Sequence, residues 1–298
     1  MSNKNLSWFA AGFLFAALWA SAATATKIGL TSAQPLVIAV VRFSIAAMIL
    51  LFIAHVLSRQ RLPVGAEWKR IAVYGLLNIS IYLGTYVVAM QSVSAGIGSL
   101  TIASNPVYIS FMSVFFLKKK LTFPVLLSLV TCTGGIIVAA LPLFKDATVT
   151  PGGLILLLFS MFSYSVAAIY FSSQKWEGLS LITINGWQTF FGGLFLLPFT
   201  LIFYKGEKNH FNIAYWSSVL WLAIPVSIAA VQLWLRLLQT NAVRAGLWLF
   251  LCPLFGFIFA AWWMHEPVSL YTVIGVALVI GGLLLSGKNS LRNEMVFD

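Results

Sequence analysis

Long apolar blocks, broken by short clusters of charged, Pro, Gly and Asn positions, recur along this chain. Each block is close to the ~20 largely uncharged residues that a helix needs to cross the hydrocarbon core of a bilayer. Windows of that length predict ten membrane helices, at about 7–26, 35–57, 70–91, 94–117, 122–143, 152–171, 181–204, 215–237, 243–263 and 268–286. The connections between them, mostly 3 to 12 residues, leave no room for a separate soluble domain.

The pattern is also written twice. A constant offset of 147 residues brings Asn105-Pro106 onto Cys252-Pro253, Gly134-Gly135 onto Gly281-Gly282 and Ala95 onto Ala242. The expected units are 1–147 and 148–298, each of five helices. Five is odd, so the second unit enters the membrane from the opposite side. The expected fold is therefore an all-α integral membrane protein, ten transmembrane helices arranged as two inverted five-helix repeats. Such repeats are a common plan of secondary transporters, with the solute near the midplane between the halves.

The first block raises one alternative, because Lys4, an apolar run and the small-residue cluster at 20–25 resemble a cleaved signal peptide. Cleavage would leave the first repeat one helix short, with no counterpart for the segment around Tyr164, so the block is read as a membrane helix.

Composition agrees with the pattern: 60% of the residues are apolar and 8% charged, against roughly a quarter charged in soluble domains. The net charge of +11 would suit a nucleic-acid binder, but the placement of the charges argues otherwise. On the ten-helix reading, 13 Lys and Arg residues fall on one side of the membrane and four on the other, namely Lys27, Lys145, Lys205 and Lys208. That bias predicts cytoplasmic termini. It also explains why Lys118-Lys119-Lys120 follow the fourth helix, whereas His265-Glu266-Pro267 follow its mate, the ninth.

The chemistry of a catalyst is missing. His55, His210 and His265 stand far apart, Cys132 and Cys252 sit inside apolar helices, and no Gly-rich phosphate loop or Walker lysine occurs. No enzyme activity, metal, cofactor or nucleic-acid partner is expected; the expected partners are a small-molecule solute and membrane lipid, with the oligomeric state left open, a monomer included. A lipid-modifying membrane enzyme would need a nucleophile with a base beside it, and a non-transporting scaffold would show no solute flux.

The chain also carries the stretch WASAATATKIGLTSAQPLVIAVVRF at 19–43, then Ala95-x-x-x-Ser99 and Asn105-Pro106 in the fourth helix. In the ninth helix Ala242 and Pro253 are followed by Glu266-x-x-Ser269. In order and spacing these resemble the EamA-type exporters of the drug/metabolite transporter superfamily, nearest in kind to exporters of aromatic amino acids. The resemblance spans nearly the whole chain. It implies a bacterial inner-membrane exporter of amino acids or other small metabolites with cytoplasmic ends. One departure stands out: the family usually ends both the fourth and the ninth helix with Gly-Glu, and Lys118-Lys119 replaces the first of these.

Candidate solute contacts follow from polar and aromatic positions inside the spans. On the fourth helix Thr101, Asn105 and Tyr108 step by four and three along one face with Gly98 and Met112. Pro106 leaves a backbone carbonyl one turn back without its amide. Asn78 and Tyr82 share a face of the third helix, and Tyr164 lies on the sixth. Trp19, Trp187, Gln232 and Trp248 complete a weakly polar, aromatic-rich lining suited to a neutral or zwitterionic amphipathic solute. Trp8, Trp68, Trp176, Trp216, Trp262 and Trp263 are instead expected in the headgroup belt.

Arg42 is the one charge well inside a span, with three readings open: a seat for a substrate carboxylate, snorkelling to the headgroups, or a tie to a backbone carbonyl. All seven acids fall in loops, tails or helix ends, so a facilitator or exchanger working by alternating access is expected. The alternative is a proton-coupled antiporter using His265-Glu266.

Overall fold

A computed structural model describes residues 3–105, 107–109, 112, 123–145, 149–176, 178–240, 245 and 248–294. Among these residues the chain is helical and contains no strand. The first repeat supplies α1 (Asn3–Leu30), α2 (Pro35–Leu57), α3 (Ala66–Ser92), α4 (Ala95–Ile102) and α5 (Phe123–Lys145). The second supplies α6 (Pro151–Ser173), α7 (Leu181–Ile202), α8 (Ile213–Gln239), α9 (Cys252–Met264) and α10 (Leu270–Glu294). Within them Trp8–Leu30, Pro35–Leu57, Ala66–Ser92, Pro151–Ser173 and Ile213–Gln239 are long and apolar enough to cross a bilayer.

Local sequence sets the helix starts. Pro35 and Pro151 take first-turn positions, where no amide partner is lost. Side-chain oxygens of Ser94, Thr150, Ser180 and Asn212 accept the amides of Ile97, Gly153, Thr183 and Tyr215, satisfying donors that lipid could not. The boundaries differ from the hydropathy reading where polar residues extend a helix. α1 runs on to Leu30, so Lys27 lies within the helix, and its Nζ donates to the Met90 carbonyl at 3.1 Å. Much of 106–122 and 241–247, where the fourth and ninth helices were expected to end and begin, lies outside the described residues.

The duplication is visible in the helices. The 147-residue offset that aligns the sequence also separates the start of α3 at Ala66 from that of α8 at Ile213, and Phe123 of α5 from Leu270 of α10. α3 and α8 widen into π-helical turns at matching places, Leu76–Leu83 and Leu222–Ala230. Repeat-mates then meet: α2 packs on α7, α4 on α9 and α5 on α10.

Small residues permit this closeness, since lipid offers no hydrophobic drive between helices and backbone approach must supply the contact. A Cβ on Gly192 of α7 would lie 2.2 Å from Ile79 Cβ and 2.9 Å from the Gly75 carbonyl of α3. Gly135 and Gly275 join α5 to α10 in the same way.

The surface is inverted relative to a soluble protein. Phe13, Met48, Phe52, Ile155, Leu201, Leu254 and Trp262 are exposed, while Asn78, Asn105, Asn185 and Gln188 are buried. An apolar exterior of this extent is a surface for lipid. Two acids hold loops at the ends of the bundle. Glu67 receives a bidentate fork from Arg61 at 2.7 Å and the Val64 amide at 2.8 Å, and Glu266, after α9, caps the start of α4.

Candidate solute site

The centre of the bundle is an aromatic cage with walls from both repeats. Trp19 on α1 faces Tyr164 on α6 with ring centroids 6.1 Å apart. Tyr164 lies 4.8 Å from Tyr82 of α3 and stacks with Trp234 of α8 at 5.8 Å. Phe15, one turn before Trp19, stacks on Trp234 at 5.0 Å, and Tyr86, one turn after Tyr82, is 6.2 Å from it. These six side chains are all buried. Cys252 of α9 reaches the Ala16 carbonyl at 3.8 Å, and its thiol is within electrostatic reach of the Tyr82, Tyr86 and Tyr164 hydroxyls.

Arg42 enters beside the tyrosines. It is 5% exposed, so it does not snorkel. Its Nε donates to Ser227 Oγ on α8 at 2.8 Å, its guanidinium carbon lies 5.0 Å from the Phe43 ring centroid, and its charge is within electrostatic reach of the Tyr82 and Tyr86 hydroxyls. Ser227 also anchors a polar chain. Its carbonyl accepts Asn185 Nδ2 at 3.1 Å, Asn185 Oδ1 accepts Gln188 Nε2 at 3.0 Å, and Gln188 Oε1 accepts Asn78 Nδ2 at 3.1 Å. The guanidinium is thus fixed at one end across α2, α8, α7 and α3.

Its other end is not tied. Arg42 Nη2, Trp19 Nε1, Tyr86 OH and Tyr164 OH are buried without a hydrogen-bond partner. Buried polar atoms are nearly always paired, because each one left unpaired costs about 1–3 kcal/mol. Four such atoms belong to this aromatic cluster and the arginine beside it.

The sequence-derived candidates divide accordingly. Trp19, Tyr82 and Tyr164 form the cage, and Arg42 stands beside it. Asn78 is a network link one step removed. Thr101 turns back to the Gly98 carbonyl of its own helix at 2.9 Å. Asn105 and Tyr108 dock α4 on α6: Asn105 Nδ2 approaches Met161 Sδ at 3.6 Å, Asn105 Oδ1 lies 3.4 Å from Ser165 Oγ, and Tyr108 meets Phe162 edge-on at 6.1 Å.

Trp187 lies elsewhere, donating to His55 Nε2 at 3.0 Å in a cluster with Trp68. Trp248 sits against Gly12 and 5.3 Å from Trp8, two helical turns from Trp19 along α1. Gln232 precedes Trp234 by two residues, about 200° around α8, so it cannot share the cage face; its Oε1 is buried and unpaired. Trp176, expected in the headgroup belt, is buried, stacks near Phe171 at 5.2 Å and donates to its carbonyl.

Sequence reasoning missed Trp234, Tyr86, Phe15 and Ser227. The available signal was spacing: Phe15 precedes Trp19, and Tyr86 follows Tyr82, by four residues.

Known proteins agree with this architecture. The sequence model of the EamA-like transporter family matches residues 6–141 and again 151–287. The protein PecM of Dickeya dadantii (strain 3937) is 26% identical over 278 residues, covering 92% of this chain and 90% of that protein. The uncharacterized transporter YdfC of Bacillus subtilis (strain 168) is 26% identical over 303 residues, covering 100% of this chain and 96% of its own. One crystal structure superposes with a TM-score of 0.67 at 18% identity, covering 94% of this chain and 96% of the other, which shows a shared fold. With two family matches that together take in most of its length, this chain belongs to the EamA-like transporter family.

Proposed function

We propose that this membrane transporter exports small amphipathic metabolites, amino acids in particular, by exposing the central cage alternately to the two sides of the membrane. One observation carries the reading: Trp19 and Tyr82 of the first repeat close with Tyr164 and Trp234 of the second around four unpaired polar atoms. A site whose walls belong to two halves opens when the halves rock, and two near-equivalent halves can hold two states of similar energy.

A facilitator or exchanger is the mode that the charges favour. Among the described residues, the carboxylates of Glu67 and Glu266 are held by Arg61 and by backbone amides at helix starts, and none enters the cage. An intramembrane carboxylate is the usual carrier of a coupling proton. The lysine and arginine bias supports cytoplasmic termini, and a bacterial inner membrane rests on the resemblance to EamA-type exporters.

Counterflow in proteoliposomes tests the reading. Vesicles loaded with unlabelled L-phenylalanine should accumulate the labelled compound transiently, and a pH gradient at zero voltage should leave the rate unchanged. No accumulation for any amino acid removes the amino-acid assignment, and several-fold stimulation by the pH gradient removes the uncoupled one.

A further inference from the structure

Resting on the transport reading, we infer that the cage holds its solute, an amino acid included, by an aromatic ring and a carboxylate and makes no use of an amino group. The charge of the site decides this. Among the described residues Arg42 is the cation beside the cage, its Nε committed to Ser227 and its Nη2 buried and unpaired. A guanidinium edge with a free N–H in a water-poor site is matched by a carboxylate oxygen. Trp19 Nε1 can only donate, and the Tyr86 and Tyr164 hydroxyls can donate as well, so the unpaired atoms of the cage together offer hydrogen bonds to an acceptor-rich group.

Among the described residues, no carboxylate stands at the cage to receive an ammonium. Glu67 stands at the start of α3, fifteen residues from Tyr82, or about 22 Å along a helix, and is held by Arg61. Glu266 is committed elsewhere: its two oxygens accept the amides of Ala95 and Gly96, and Lys27 lies within its electrostatic reach. The aromatic faces of Trp19, Tyr164 and Trp234 could attract a cation by themselves, but the Arg42 charge beside them repels one. The same rings accept a flat apolar body. Carboxylate toward Arg42 and ring among the aromatics is the orientation that satisfies both halves of the site.

The test compares three probes of equal ring size on the purified full chain in nanodiscs: 3-phenylpropanoate, L-phenylalanine and 2-phenylethylamine. Ligands that bind the folded state raise its melting temperature. 3-Phenylpropanoate should reach a given shift at least tenfold below the concentration of L-phenylalanine, and 2-phenylethylamine should give none. Arg42→Gln should lose the response to 3-phenylpropanoate while keeping that to the uncharged 3-phenylpropanamide; if this variant does not fold, the three-probe order on the unmodified chain decides. An acid that acts no better than the amino acid or the amine overturns the assignment, as does silence from all three. Counterflow of L-phenylalanine alongside such a result would leave the transport reading intact.

Discussion

The carboxylate of Glu266 accepts the backbone amide of Ala95 at 2.6 Å and, through its second oxygen, that of Gly96 at 3.0 Å. A loop residue of the second repeat thereby closes the positive end of a helix in the first. Charged caps of this kind contribute about 1 kcal/mol. Glu266→Gln should lower the unfolding midpoint in detergent by roughly 2–4 °C, and an unmoved midpoint would show that the cap adds nothing.

Gly192→Ala should destabilise by about 1–3 kcal/mol, because the new methyl group meets Ile79 and the Gly75 backbone, which cannot turn aside. Gly134→Ala is the matched control: nothing lies within 4 Å of its added Cβ, so it should be neutral or slightly stabilising. Thermal unfolding of both variants, side by side, separates close packing from a general aversion to larger residues.

Arg61→Met should cost about 1–3 kcal/mol by leaving the Glu67 carboxylate, 2% exposed, without its fork. Arg61→Met with Glu67→Met should recover most of that loss, since neither charge then remains to be satisfied. A double-mutant cycle in denaturant or heat reads the difference, and additive losses would mean that the pair is not coupled.

Trp234→Ala should raise the counterflow KM for an aromatic solute roughly tenfold, in line with about 1.4 kcal/mol for a lost ring contact. Trp187→Ala, whose indole is bonded to His55 away from the cage, should change it less than about twofold by the same scale. Equal effects would place the solute somewhere other than among Trp19, Tyr82, Tyr164 and Trp234.

What the sequence disclosed follows from which forces act along the chain. Hydropathy found the helices because lipid acts on each segment separately, and the 147-residue offset exposed the duplication before any coordinate did. Side-chain direction was harder to read. A helix apolar all round carries no stripe to show which face looks inward, so Trp187 enters the expected lining and Trp234 does not, although both are aromatic and within spans. Tyr82 is legible because Asn78 marks its face, whereas Trp19 enters only as an aromatic position inside a span. Arg42 was seen but not placed, since its fate depended on Ser227, 185 residues away.

Ser80 and Ser227 occupy equivalent positions in the two copies, inside the matching widened turns of α3 and α8. Their hydroxyls now serve different ends: Ser80 donates to the Gly192 carbonyl at 2.8 Å, whereas Ser227 receives the guanidinium. Arg42 has Thr189 as its own counterpart, and Thr189 Oγ1 meets Asn185 Oδ1 at 3.4 Å instead of Ser80. The one position thus holds a buried cation in one copy and a neighbouring backbone in the other, so the two halves are not interchangeable at this joint.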